Sequence, residues 1–241
     1  MRSVLIVLAI LSRPVSAQFF ESVPPPKDEP KPVAYLTSDR VDYRFVLPGP
    51  PGAGSTWERE DERLVDVMQG AEGERFKSAD LDGRNLYARF FEAYGRDVDR
   101  EHLPATVHLL NRAMRDIAFT TFQAKDHYLR KRPFQDRQLQ RVCGMEKAPA
   151  PEANPKDRSS YPSGHSSYGW GVAMILANLS PERAEALLKR AAEYGESRVV
   201  CAMHYPSDVE AGRVIAAAVV SRLLANPEFV ADLEKARMEQ R

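Results

Sequence analysis

An excess of one charge is missing from this chain: Lys and Arg together number 34, and so do Asp and Glu. A nearly neutral chain has no general electrostatic footprint for a nucleic-acid polymer, so none is expected as a partner. Long apolar runs are missing too. Beyond the N-terminus the longest is Val214–Val220, far below the ~20 residues that cross a bilayer as a helix, so the mature chain is expected to stay out of the membrane. Alternating β-branched runs are hard to find, and no repeat at a fixed period is evident, which disfavours sheets and solenoids. Cysteine is scarce, with only Cys143 and Cys201.

The N-terminus is the exception to the shortage of apolar runs. Arg2 precedes the apolar stretch Val4–Leu11, and Val15-Ser16-Ala17 supplies small residues before Gln18. This pattern predicts a secretory signal peptide over residues 1–17 and a periplasmic or secreted location. A short buried helix is the competing reading. Losing those residues removes Arg2 and Arg13 and no acid, which leaves a formal charge near minus two. In an exported chain the two cysteines can pair as a disulfide or remain two buried thiols, and their separation in sequence does not decide between these.

Residues 18–55 hold eight of the eighteen prolines, among them Pro24-Pro25-Pro26 and Pro48, Pro50 and Pro51. We read this as an extended arm. It either wraps the domain or a neighbouring subunit through Tyr35, Tyr43 and Phe45, or forms a partly disordered leader. From residue 56 to 241 the apolar spacing turns helical, predicting an all-α fold: one irregular helical-bundle domain. Val107, Leu110, Met114, Ile117 and Thr121 form one inward stripe on a helix beginning after Pro104. Further helices are expected from Ser163 to Leu179, from Pro181 to about Glu196, from Ser207 to Leu224, and after Asn226-Pro227. Ser180-Pro181 suggests an N-cap with proline in the first turn, and Ser207 with Glu210 has capping-box spacing.

Three segments carry chemistry. Continued at helical spacing, the inward stripe reaches Lys125 and, two turns further, Arg132. Cations at the end of a core face either meet an anion or reach for solvent along their apolar stems. Pro133 disfavours helical geometry at Arg132, so the helix should end there. The second segment, Ser160-Tyr161-Pro162-Ser163-Gly164-His165, places a hydroxyl, a glycine and an imidazole at a helix start, where unpaired N–H groups suit an anion. In the third, Arg198 adds a guanidinium, Pro206 should leave His204 in a tight loop, and Asp208 would open the next helix. There Asp208 can accept the Nδ1 proton of His204 and leave Nε2 unprotonated, as a nucleophilic imidazole requires. A structural histidine beside an unrelated aspartate is the bland alternative.

Together, Lys-x6-Arg-Pro, Pro-Ser-Gly-His and Ser-Arg-x5-His-x3-Asp resemble the tripartite signature of the type 2 phosphatidic acid phosphatase and vanadium haloperoxidase superfamily. All eleven specified positions are present in order. The context Ser-Tyr-Pro-Ser-Gly-His-Ser and Ser-Arg-Val-Val-Cys is similar to the bacterial class A non-specific acid phosphatases. The resemblance covers roughly residues 105–241. Ser159 departs from it, since that class usually has glycine before Ser-Tyr-Pro. The N-terminal half carries no independent match.

The resemblance implies that His204 is the nucleophile and forms a phosphohistidine, that Asp208 orients it, and that His165 is the general acid. It implies that Lys125, Arg132, Ser163, Gly164 and Arg198 hold the phosphoryl oxygens. Small phosphomonoesters are the expected substrates, with broad specificity and possible transfer to alcohols, and a homo-oligomer is implied. No cofactor is expected. His102, His108 and His127 lack the spacing to acids or cysteines that would mark a metal site. The competing functions are a vanadate-dependent haloperoxidase, a lipid phosphatase, and an exported phosphate-binding module without turnover; two histidines with different proton requirements argue against the last.

Overall fold

A computed structural model describes residues 32–71, 73–84, 86–137, 139, 141–144 and 159–240. The leader at 1–17 and the first part of the arm lie outside the described residues. The fold is all-α, and among the described residues no strand occurs. The helices are α1 (Thr56–Gln69), α2 (Gly73–Leu81), α3 (Phe91–Tyr94), α4 (Pro104–Tyr128), α5 (Pro133–Asp136), α6 (Gly164–Leu179), α7 (Ala184–Val200), α8 (Pro206–Leu223) and α9 (Pro227–Glu239). No single described helix is long and apolar enough to cross a membrane.

The central helix is α6, packed most extensively on α7 and α8 and then on α4. Its glycines set the closeness of that packing. A Cβ at Gly169 would come within 2.5 Å of Tyr194, and one at Gly212 of α8 within 2.5 Å of the Ser163 carbonyl. Leu109, Leu110 and Ile117 of α4, Ile175 and Leu176 of α6, Leu187 of α7 and Ile215 of α8 are fully buried between these helices. Each such side chain contributes roughly 1.5–3 kcal/mol relative to exposure.

The stripe read from the sequence is the buried face of α4, including Val107, Leu110, Met114, Ile117, Thr121 and Lys125. That helix begins with Pro104 and is capped by a residue distant in sequence, because the Glu239 carboxylate accepts from Thr106 N–H at 2.9 Å. It ends earlier than expected: Leu129 takes a left-handed conformation (φ 46°), so Arg132 lies outside the helix in extended backbone. Two other boundaries also differ. Pro181–Arg183 is a 3-10 turn before α7, Ser180 makes no side-chain cap, and α7 continues to Val200.

Of the arm, residues from Val33 to Tyr43 run along α4, and Tyr35 also reaches α9. The N–H groups of Tyr35 and Leu36 donate to the buried Asp116 carboxylate at 2.9 and 3.0 Å, and Tyr35 Oη donates to Asp232 at 2.9 Å. Tyr43 packs on His127 and Tyr128, whereas Phe45 faces solvent and is 88 % exposed. Cys143 and Cys201 form a disulfide with 4.9 Å between their Cα atoms. Around it Ala79, Phe134, Val142, Val200, Ala202 and Met203 make a small second core directly before His204.

Candidate active site

Backbone hydrogen bonds lace the three chemistry-bearing segments together. Ser160 N–H donates to the Arg130 carbonyl at 3.0 Å, Ser163 N–H to the Asp208 carbonyl at 2.8 Å, and Phe134 N–H to the Ala202 carbonyl at 3.3 Å. Main-chain bonds thus join segments 30, 45 and 68 positions apart. Tyr161-Pro162 is a cis bond, and Ser163 caps α6 by accepting from Ser166 N–H at 3.3 Å. Gly164 opens that helix beside Lys125, whose Cε would lie 3.7 Å from a Cβ at this position.

His204 sits in the turn between α7 and α8. The carbonyl of Arg198 accepts from the N–H groups of Met203 and His204 at 3.0 and 3.2 Å, and Ala202 supplies the left-handed residue at φ 57°. Arg132 Nη1 lies 2.9 Å from the Met203 carbonyl and 3.1 Å from His204 Nε2. A guanidinium can only donate, so Nε2 accepts and carries the lone pair. The ring's Nδ1 is 3.7 Å from Asp208 Oδ2, beyond a hydrogen bond. The direct bond expected from the sequence is therefore not formed; Asp208 instead accepts from Ser160 Oγ at 2.6 Å, Tyr205 N–H at 2.8 Å and Arg130 Nη1 at 2.7 Å. The Ser160 backbone faces the His204 ring.

Lys125 and Arg198 are buried, and Arg132 is half-buried. Lys125 Nζ donates to the Ser159 carbonyl, and Arg132 Nη2 reaches Ser159 Oγ at 3.2 Å, so the serine that departs from the family pattern lines the site. Nε and Nη1 of Arg198 meet no hydrogen-bond partner among the described residues although the side chain is 2 % exposed. A buried guanidinium with unmet donors is a strong anion receptor, since leaving it alone costs several kcal/mol.

Electrostatics follow from this crowding. Burial pushes His204 well below the usual imidazole range, and Arg132, Lys125 and Arg198 push the same way. Burial likewise lowers His165, joined by Arg198, His204 and Arg132, while a hydrogen bond to the Gly83 backbone opposes the shift. Lys125 is lowered by burial and by Arg132. The arrangement therefore resists further positive charge and favours any group bringing negative charge.

Two elements escaped the sequence reading. Asp82, fully buried, accepts from Arg89 Nε at 2.7 Å and Ser197 Oγ at 2.6 Å and pairs with Arg190, which fixes the turn carrying Gly83. A Cβ at Gly83 would lie 3.1 Å from Arg198 Nη1, so a side chain there would press on the guanidinium. The other element is Asp61 of α1 with Arg130. Neither pairing leaves a local signal in sequence. Among the described residues no cluster of His, Cys, Asp or Glu suits a metal ion.

The chain resembles known proteins over most of its length. A non-specific acid phosphatase of Providencia stuartii is 35 % identical over 235 residues, 93 % of this chain and 92 % of that protein. An acid phosphatase of Zymomonas mobilis is 34 % identical over 224 residues, covering 88 % and 80 %, and a non-specific acid phosphatase of Salmonella typhimurium is 34 % identical over 209 residues, covering 83 % and 81 %. The likeness thus reaches well into the N-terminal half, where the motifs gave none. Residues 106–228 match the PAP2 superfamily, and they contain every member of the cation and imidazole cluster; the chain belongs to that superfamily.

Proposed function

We propose that this chain, an acid phosphatase like the relatives it matches, hydrolyses phosphate monoesters through a phosphohistidine on His204. Nε2 of His204 attacks phosphorus, the bond to the alcohol oxygen breaks, and His165 gives that oxygen its proton. Water then attacks the phosphohistidine, His165 takes the water's proton, and phosphate and free His204 are regenerated. Arg132 exchanges its hydrogen bond to Nε2 for one to a phosphoryl oxygen as substrate enters. Lys125, Arg198, Ser163 and the Gly164 N–H complete the cradle, placing fixed positive charge where a metal ion would otherwise act.

The observation that carries this reading is the buried Arg198 guanidinium with unmet donors, gathered with two more cations and two imidazoles of lowered pKa. Binding alone needs neither a lone pair on His204 nor a proton donor. A dianionic substrate offsets the cations and lets His165 hold a proton, which is available only at acid pH, so an acid optimum is expected. A sugar or nucleoside hydroxyl in place of water would give phosphotransfer from the same intermediate. Export is proposed from the pattern at residues 1–17 and is supported by the Cys143–Cys201 disulfide.

The test is hydrolysis of p-nitrophenyl phosphate at mildly acid pH with chelator present, for the wild type and His204→Ala. Chelator-resistant turnover lost in the variant supports the reading. Chelator-sensitive turnover, or full activity in the variant, refutes it, and halide oxidation with added vanadate would point to the haloperoxidase chemistry instead.

A further inference from the structure

Behind the nucleophile lies a chain of buried charge that the reaction as written does not use. Arg130 stands between two carboxylates: Nη1 donates to Asp208 Oδ1 at 2.7 Å and to Ser207 Oγ at 2.8 Å, and Nη2 donates to Asp61 Oδ2 at 2.9 Å. Asp61 in turn accepts from Ser207 N–H at 2.9 Å, at the start of α8. The guanidinium carbon lies 4.1 Å from the centre of the Tyr205 ring. Asp208 is fully buried and Asp61 is 3 % exposed, so solvent screens little of this charge.

We propose that Asp61 and Arg130 are positioning residues for the nucleophile, a relay that sets how much negative charge Asp208 presents to His204 and holds the carboxylate at its observed distance. The proposal rests on His204 being the nucleophile. An unopposed carboxylate 3.7 Å from the ring would favour imidazolium, the unreactive form, under the acid conditions that His165 requires. Arg130 offsets that carboxylate, and Asp61 limits the offset by sharing the guanidinium. The other groups facing His204 are Arg132, Lys125, Arg198 and His165, with the Ser160 backbone. All of those side chains bring positive charge or compete for the proton, so Asp208 with its relay is the opposing negative side.

The two ends of the relay then act in opposite directions. Removing the positive charge in Arg130→Gln raises the proton affinity of His204; removing the negative charge in Asp61→Asn lowers it. The experiment measures kcat and KM for p-nitrophenyl phosphate across pH, with the ¹⁵N titration of His204 in the full chain, for wild type, Arg130→Gln, Arg130→Lys and Asp61→Asn. Wild-type turnover that is lost in His204→Ala is established first; failure there sinks the phosphatase reading itself, whatever the relay does.

Given that turnover, the acid limb of kcat is expected to move up by about half a pH unit in Arg130→Gln and down in Asp61→Asn, with Arg130→Lys between wild type and Arg130→Gln. KM at the optimum should change by no more than about twofold, because neither residue holds phosphate. Limbs that move together, or stay fixed while only thermal stability falls, mean a purely structural role and overturn the proposal. Should Arg130→Gln not fold, Asp61→Asn decides alone: a downward shift supports the relay and no shift overturns it.

Discussion

Arg132 Nη1 donates to Nε2 of His204 at 3.1 Å, which fixes the lone pair on the nitrogen facing the cations. Of the three cations, Arg132 alone is hydrogen-bonded to the nucleophile, so its loss should remove both a phosphate donor and the control of the His204 tautomer. Arg132→Gln is expected to lower kcat by about 100-fold or more while the protein stays folded, as for loss of one donor at a developing oxyanion. Steady-state kinetics with a circular dichroism control checks this, and a loss of only a few-fold would remove Arg132 from the reacting centre.

The lowered pKa values of His165 and His204 make stability depend on pH. Below the unfolded imidazole pKa of ~6.5, the unfolded chain takes up protons that these two rings refuse, so stability should fall as pH drops through that value. His102, exposed and raised by its hydrogen bond to Asp99, works weakly the other way. Inorganic phosphate should reverse part of the loss by letting His165 charge. Thermal unfolding at pH 7.5 and pH 5 with and without phosphate is therefore expected to show the larger stabilisation at pH 5; equal stabilisation would contradict the link between anion and imidazoles.

Much of this site was legible because its residues sit at ends of strongly patterned helices. The 3.6-residue stripe gave α4 and placed Lys125 on its inner face, and Pro206 correctly left His204 in a turn. What failed was whatever depended on a distant partner. Ser207 looked like a cap with Glu210, but Asp208 accepts the Tyr205 N–H and Ser207 N–H serves Asp61, 146 positions away. Arg132 was placed on the continuing helical face, yet Leu129 turns the chain left-handed first, and a branched aliphatic residue gives no warning of that conformation. Of the aromatics read as docking the arm to the domain or to a neighbouring subunit, Tyr35 and Tyr43 pack on the domain and Phe45 faces solvent.

The disulfide closes a loop between residues 58 positions apart and ends three residues before the nucleophile. In the chain-entropy account a loop of that length is worth about 4 kcal/mol, and native-state relaxation usually reduces the observed value to roughly 2–4 kcal/mol. Cys143→Ser should therefore lower stability by that amount in urea titrations. Because Cys201 also packs with Ala202 and Met203, the variant should lose kcat at temperatures where it is still folded. Unchanged kcat would show that the turn carrying His204 holds its shape through the Arg198 carbonyl alone.

Two glycines of the core separate packing from catalysis. At Gly212 an added Cβ would meet backbone, the Ser163 carbonyl at 2.5 Å and the Ser167 nitrogen at 3.0 Å, and the only relief is to move α8 away from the start of α6. That start carries Ser163, Gly164 and His165, and the Ser163 N–H is bonded to the Asp208 carbonyl, so the shift must reach both motifs. At Gly171 an added Cβ would meet Ile117 Cδ1, the flexible end of a side chain on α4, about two turns along α6 from the site. Both Gly→Ala variants should lose about 1–3 kcal/mol from overpacking. Only Gly212→Ala should also lose kcat per folded molecule, by tenfold or more if a displacement of about 1 Å misaligns the cradle. Equal kcat losses in the two variants would mean that the α6–α8 contact transmits nothing particular to the site.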